Sequence, residues 1–418
     1  MSTVLIISVI IDTCKILMVK LIRIFSFDFI FKEPKGEGTV NFEFTEEQIQ
    51  VRDMAREFAQ NEIAPTAREY DEKAEFPWPI IKKLSELNFM GVMIPEEYGG
   101  LGMDATTCTL VIEEISKADA ACGVILAVQN SLGSSTLVKY GSEEQKKKYL
   151  TKIASGEQLC AFGLTEAGAG SDFAAMTTVA EDKGDHWLLN GRKIFITNGS
   201  TADIFTIIAM TDKKKGARGM SAFIVEKSYP GFSVGTIEKK LGIRASDTAE
   251  LIFDNVRVPK ENLIGKKGYG YIYAMEALDT GRVGVGAQSL GIATAAYEAA
   301  LKYAKTRVQW GAPITKLQAI QFKFADMATK LEATRWLVYR SAWLKDNGKP
   351  FIKEASMAKL FASEMSTEVT HQAMQIMGGY GYMKDYNVER YYRDARITEI
   401  YEGTSEVQRH VIASLILK

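Results

Sequence analysis

Few residues in this chain of 418 could carry chemistry, and their spacing narrows the options. The histidines, His186, His371 and His410, are far apart, and no HExxH pattern joins them. The cysteines, Cys14, Cys108, Cys122 and Cys160, form no CxxC pair. A metal centre and a Ser-His-Asp mechanism therefore both lack their parts. Two glycine-rich stretches invite a nucleotide reading. Gly168-Ala169-Gly170-Ser171-Asp172 follows a strand-like run but has no third glycine and no helix signature behind it. Gly265 to Gly270 has neither the preceding strand nor the GK[ST] ending of a phosphate-binding loop. Both read as turns, so any dinucleotide must be held by another device. One carboxylate stands apart: Glu402, in a loop just before the last helix, followed by flexible Gly403. Taken alone, it reads as help in capping the helix after Thr404.

The elements that must position these residues change texture twice. From Thr45 to Gly156 the pattern is helical. Glu46, Glu47 and Gln48 follow Thr45 as a start signal, and Ile49, Met54, Phe58 and Ile63 recur at helical spacing until Pro65. Further helices are expected from Trp78 to Leu87, around Cys108 to Ser116, from Ala121 to Tyr140, and after the cap Ser142. From Gln158 to about Gly265 short β-type runs take over: Cys160 to Leu164, His186 to Asn190, Ile194 to Asn198, Ile204 to Met210, Ser221 to Val225, Glu250 to Val258. Turn residues such as Asn190-Gly191 punctuate them. That texture predicts a small barrel or sandwich, not βαβ units. From Tyr271 the chain is helical again, with Arg282 to Lys305, Lys316 to Asn347, Ile352 to Met377 and Ser405 to Leu417 in succession. These predict an antiparallel bundle. The fold class is thus α+β: a helical domain over residues 41–158, a β domain over 159–268 and a four-helix bundle over 269–418.

Composition agrees with a globular chain of several domains: 46% hydrophobic, 25% charged, net charge −1. Nothing calls for a nucleic-acid partner. Scattered cysteines fit a reducing compartment, here the bacterial cytoplasm. Residues 1–40 form an atypical extension. Its apolar runs, Val4 to Ile11 and Ile16 to Ile24, are interrupted by charge and too short to span a bilayer. Lys35-Gly36-Glu37-Gly38 requires purine-rich codons of the kind found in a bacterial ribosome-binding site, which makes Val40 the expected native start. Finding residues 1–39 by N-terminal sequencing of protein from its host would overturn that expectation.

Three segments together resemble the acyl-CoA dehydrogenase family. The first is Cys160 to Asp172, reading CAFGLTEAGAGSD, with Ala167 where the family usually has proline. The second is Leu241-Gly242-Ile243-Arg244 with Phe253 to Pro259. The third joins Gln375 to Gly379, Tyr391 to Arg396 and Ile400 to Glu406. The resemblance spans about residues 41–418. It is nearest the short-chain, butyryl-CoA branch, supported by Val128 to Leu132 and Lys316 to Lys323.

The resemblance implies FAD as cofactor, a homotetramer built as a dimer of dimers, and a defined set of roles. Glu402 matches the family's base, which removes the α-proton of an acyl thioester. Burial beside apolar substrate would raise its pKa toward neutrality. Some relatives carry the base on a bundle helix, at the position of Gly281, where this chain has no carboxylate. Phe162, Gly163, Leu164, Thr165 and Ser171 would lie along the flavin, with Phe195, Ile196 and Thr197 covering its other side. Arg307, Gln318 and the stretch Gln375, Ile376, Met377, Gly378 and Gly379 would reach the FAD of a neighbouring subunit. Thr404, Ser405 and Glu406 would seat a diphosphate at a helix N-terminus. Asp279, Thr280, Gly281, Arg282, Gly403 and again Ser171 would meet the acyl-CoA. For Arg282 a salt bridge within the bundle is an equal alternative. The activity implied is dehydrogenation of a short-chain acyl-CoA, with electrons passed to an electron-transfer flavoprotein, or the reverse reduction. An oxidase using oxygen and a flavin-holding scaffold without turnover remain as other readings.

Overall fold

The computed structural model describes residues 43–417. The extension at 1–40 and the start at Val40 lie outside the described residues.

The first helical part contains α1 (Glu46–Phe58), α2 (Ala67–Lys73), α3 (Trp78–Glu86), α4 (Ala105–Ala118) and α5 (Ala120–Ala127). Asp104 and Asp119 start the last two by accepting from the backbone amides of Thr107 (2.7 Å) and Cys122 (3.0 Å). The helix α5 runs through a widened π segment, Val128–Gly133, into α6 (Ser135–Tyr140). The wider turn lets buried Gln129 leave its own helix: its Nε2 donates to Ile153 O at 3.1 Å and its Oε1 accepts from Cys160 N at 2.9 Å. The first strand is thereby pinned where it begins. Ala120–Tyr140 is apolar and long enough to cross a membrane, but 89% of its apolar window is buried inside the protein, as expected of a core helix. Ser142 and Gln145 form the reciprocal cap that opens α7 (Glu143–Gln145), ahead of α8 (Thr151–Ala154).

The β part comprises β1 (Cys160–Gly163), β2 (Val179–Asp182), β3 (His186–Thr197), β4 (Ile204–Met210), β5 (Met220–Glu226), β6 (Phe232–Ile237), β7 (Thr248–Pro259) and β8 (Leu263–Ile264). The order is β6-β7-β3-β2-β4-β5-β8, with β1 parallel to β4. The expected barrel does not close: among the described residues no pairing joins β6 to β8, and the sheet is open and mixed. The expected turn at Asn190-Gly191 is also absent. Gly191 (φ +145°) lies inside β3, where a Cβ would stand 2.5 Å from Thr178 Oγ1 and 2.6 Å from Thr178 Cα. Close backbone approach, not a chain reversal, is what this glycine serves. One long strand therefore replaces two short ones, and it is irregular again between Lys193 and Ile196.

The second helical part holds α9 (Gly270–Thr306), a hairpin of β9 (Val308–Gln309) and β10 (Ala312–Pro313), α10 (Gln318–Asp346), α11 (Ile352–Met377), α12 (Val388–Ile397) and α13 (Ser405–Ile416). On α9 a stripe of Ala296, Ala300 and Ala304 meets Val369 and Ala373 of α11, small residues that bring the two axes close. The helix α12 is clamped by charge. Arg390 reaches Asp119 Oδ1 and Ala118 O, both at 3.0 Å. Arg393 meets Asp71 at 2.7 Å, and Asp394 accepts from Ile243 N at 2.5 Å. These contacts fix the segment that leads directly to Glu402.

Candidate active site

Glu402 sits in the turn between α12 and α13 with φ +53°, a backbone setting unfavourable to any residue with a Cβ. Tyr401 before it is anchored by its hydroxyl to Gln288 of α9. Gly403 after it has φ +95°, and its carbonyl accepts from Lys359 Nζ of α11 at 2.8 Å and from Gln408 Nε2 at 2.9 Å. Thr404, not Glu402, caps α13, accepting from Val407 N at 3.3 Å. The cap is thus supplied without Glu402, whose strained turn aims it elsewhere.

It aims at Gly281. A Cβ built there would fall 1.9 Å from Glu402 Oε2 and 3.1 Å from Leu132 Cδ2. The carboxylate therefore occupies the space that the missing side chain leaves in α9. Oε2 is sealed from solvent and has no hydrogen-bond partner among the described residues, although the residue as a whole is only half-buried. Burial pushes the Glu402 carboxyl up to about 7, while Lys359 and Arg282 pull it down. Such a group holds or releases a proton near neutrality.

The stretch around Gly281 is turned inward. Arg282 is buried and bound to Asp279 Oδ1 at 2.6 Å and to Ser356 Oγ at 3.3 Å. Burial lifts Asp279 to about 6 despite the guanidinium. The salt-bridge alternative for Arg282 is what the structure contains. Thr280 is half-buried, its hydroxyl on Glu276 O at 3.3 Å.

A second set of residues forms a wall nearby. Phe162 and Leu164 share one apolar cluster with Leu132, and Tyr401 packs against it. Gly163 is tight against Ile207, and Thr165 O accepts from Ile194 N at 2.9 Å, stitching this segment to β3. A buried ion pair stiffens the same corner. Lys193 Nζ meets Leu164 O and Glu166 Oε1, each at 2.9 Å, and Glu166 also accepts from Thr177 N at 2.6 Å and Thr178 N at 3.0 Å. Burial opposes ionisation of Glu166, but Lys193 and these donors win and hold it down at about 2. On β3, Ile196 is 3% exposed and faces the core, Thr197 is half-buried, and Phe195 is 60% exposed with φ +58°. Ser171 is exposed beyond the loop. At the start of α13, Ser405 is buried with an unpartnered hydroxyl, and Glu406 is exposed.

The remaining expected residues stand apart from these. Arg307 and Gln318 are exposed at the end of the bundle, with the Arg307 guanidinium 5.7 Å from the Tyr380 ring. Gln375, Gly378 and Gly379 are exposed there, while Ile376 and Met377 are buried. Along α11, Gln375 is roughly 24 Å from Lys359 at about 1.5 Å per residue. One copy of the chain thus presents two separated sets. Sequence reasoning missed Lys359, Gln408, Lys193, Glu166 and Leu132. Only Glu166 and Leu132 fell inside a motif, and buried charges such as Lys359 carry no spacing signal.

The chain matches three family models in sequence: acyl-CoA dehydrogenase N-terminal domain at residues 45–157, middle domain at 161–256 and C-terminal domain at 268–417. It belongs to the acyl-CoA dehydrogenase family. A short-chain specific acyl-CoA dehydrogenase of Clostridium acetobutylicum is 50% identical over 379 residues, 91% of this chain and 100% of that protein. An acryloyl-CoA reductase (NADH) of Anaerotignum propionicum is 49% identical over 381 residues, covering 91% and 96%. Among solved structures, butyryl-CoA dehydrogenase of Megasphaera elsdenii superposes with a TM-score of 0.89 at 45% identity, covering 91% and 100%. A chain from the structure of the electron transferring flavoprotein of Acidaminococcus fermentans gives 0.90 at 52%, with the same coverage. An acyl-CoA dehydrogenase of Bacillus anthracis complexed with FAD gives 0.85 at 38%, covering 90% of this chain and 67% of that one. Acyl-CoA dehydrogenases are FAD-dependent oxidoreductases, and this chain is one of them.

The residues present fit a flavin. Phe195 holds an apolar ring toward solvent at a backbone angle that disfavours it, which is intelligible if a flat apolar group covers it. Gly168, Gly170, Gly378 and Gly379 face open space with no neighbour within 4 Å of a built Cβ.

Proposed function

We propose that this chain converts a short-chain acyl-CoA to its trans-2-enoyl thioester, with Glu402 taking the proton from Cα. The observation that carries this reading is the buried Glu402 Oε2, which has no partner and is poised near neutrality in the space opposite Gly281. A base needs reach and a pKa near the working pH, and a carboxyl poised at about 7 supports the second. Bound FAD supplies the acceptor for the hydride that leaves Cβ. Phe162 to Thr165, Ser171, Phe195 to Thr197 and Thr404 to Glu406 would line it. The apolar wall of Leu132, Phe162 and Leu164 excludes water from the acidified Cα–H, and Gly403 and the segment Asp279 to Arg282 bound the thioester side. Arg307, Gln318 and Gln375 to Gly379 would serve the FAD of a second copy in a homotetramer. Their distance along α11 from Lys359 supports that assignment.

Likeness to short-chain and butyryl-CoA dehydrogenases supports a four-carbon substrate. Electrons would leave to an electron-transfer flavoprotein, and the likeness to an acryloyl-CoA reductase supports operation in reverse where the partner's potential favours it. The bacterial relatives support a bacterial source, and the scattered cysteines support its reducing cytoplasm as the location. The change from helix to strand after Ala154 and back at Gly270 supports the domain limits 41–158, 159–268 and 269–418.

Anaerobic stopped-flow mixing of the holoenzyme with acyl-CoA thioesters tests the reading. Butyryl-CoA should bleach the flavin faster than longer acyl chains. The variant Glu402→Gln should hold FAD yet bleach at least 1,000-fold more slowly, of the order expected for loss of an essential base. Bleaching of that variant at the wild-type rate would refute Glu402 as the base.

A further inference from the structure

This inference rests on the assignment of Glu402 as the base. Lys359 lies in the N-terminal third of α11 and is 0% exposed. Its ammonium donates to Gly403 O, a carbonyl that Gln408 already serves. Holding a carbonyl does not require a charge, and burying an ammonium without an anion is costly. The anion it answers can be found by elimination. The charged groups that face it are Glu402, Arg282 on α9, Glu399 in the turn after α12, Glu364 on α11 itself and Glu406 at the start of α13, which is exposed to solvent. Glu364 is taken by Arg409 of α13 at 2.6 Å. Glu399 is taken by Arg396 at 2.8 Å and by the Thr367 hydroxyl at 2.5 Å. Arg282 is taken by Asp279. Glu402 therefore faces two cations, Lys359 and the already paired Arg282, and of the two Lys359 acts on it more strongly.

We propose that Lys359 is a positioning residue for the base, holding the turn through Gly403 O and leaving its positive charge to keep Glu402 ionised while it waits for the α-proton. The direction of the effect follows from Coulomb's law: a nearby cation favours the carboxylate, so removing it raises the pH at which Glu402 ionises. Burial lowers Lys359 itself to about 8, so most of the cation is still present near pH 7, at the midpoint of the Glu402 titration.

The test compares Lys359→Gln and Lys359→Met with wild type as holoenzymes, following flavin bleaching by butyryl-CoA from pH 5.5 to 9.5. Glutamine keeps a donor for Gly403 O and loses only the charge; methionine loses both. The acid limb of the rate profile should move up by one unit or more in both variants. Rates should be at least tenfold below wild type at pH 6 and converge with it by pH 9.5, with FAD content and melting temperature retained. An unmoved limb overturns the proposal. So does a rate lowered equally at every pH, or failure of both variants to hold FAD, since each would make Lys359 purely structural. Bleaching by Glu402→Gln in the same instrument is a separate failure, that of the base assignment.

Discussion

Glu402 is held against its own ionisation, and that should be measurable as lost stability. Its carboxyl is raised from 4.5 to about 7, with burial as the leading cause. The native state therefore keeps a proton between those pH values that the unfolded chain releases. Stability falls as pH rises through that window, because the state that binds more protons is the folded one. A shift of about 2.5 units at about 1.4 kcal/mol each is worth about 3.5 kcal/mol. Glu402→Gln, nearly the same shape but unable to ionise, should lie within about 1 kcal/mol of wild type at pH 5 and exceed it by about 3.5 kcal/mol at pH 8.5. Lys359 acts in the opposite sense: burial lowers it to about 8, so above that pH the folded protein gives up a proton that the unfolded chain still holds, and its own contribution to stability rises with pH. Urea unfolding at fixed protein and FAD concentration checks this, with midpoints read at both pH values. A variant equally or less stable than wild type at pH 8.5, with the difference unchanged at pH 5, would refute the reasoning.

Gly281→Ala places a methyl group where Glu402 Oε2 now lies. The displaced carboxylate should cost at least 100-fold in kcat at unchanged FAD content, read by steady-state assay with a dye acceptor. Phe195→Gly removes a strained φ and an aromatic cover together. The apoprotein should gain up to about 1 kcal/mol in chemical denaturation, while FAD affinity, measured by fluorescence titration, falls tenfold or more.

Parts of the fold are written in local pattern. Ile352 to Met377 was read to its end residues because Pro350 and Gly378 bracket an uninterrupted helical period. Ile204 to Met210 was read in full because all seven residues are apolar or small enough to be buried on both faces. Other elements have no such signal. The strand β6 has no fully buried residue, carries Gly235 inside it, and exists because Phe232 and its neighbours pair with β7. The Asn190-Gly191 pair has the composition of a turn, and only the contact with Thr178 makes it strand. At the site, the Tyr-Glu-Gly-Thr motif exposed Glu402 to sequence reading. Lys359 and Lys193 were not legible, because each is a lone lysine whose meaning comes from burial against distant carbonyls and carboxylates. Arg282 was ambiguous from sequence, since an Asp three residues earlier on a helix serves a ligand site and an internal pair equally well.

The fit of Glu402 into the hollow of Gly281 has a consequence for how this enzyme type can change. A helix position and a loop position compete for a single volume, so a carboxylate can be delivered there from one or the other. Adding a second glutamate produces a collision; deleting the first alone leaves no base. Relocation of the base therefore calls for two exchanges at once, and neither half-step works. On the proposed assignment of Glu402 as the base, the identity of residue 281 thus reports which segment of the chain supplies the proton acceptor.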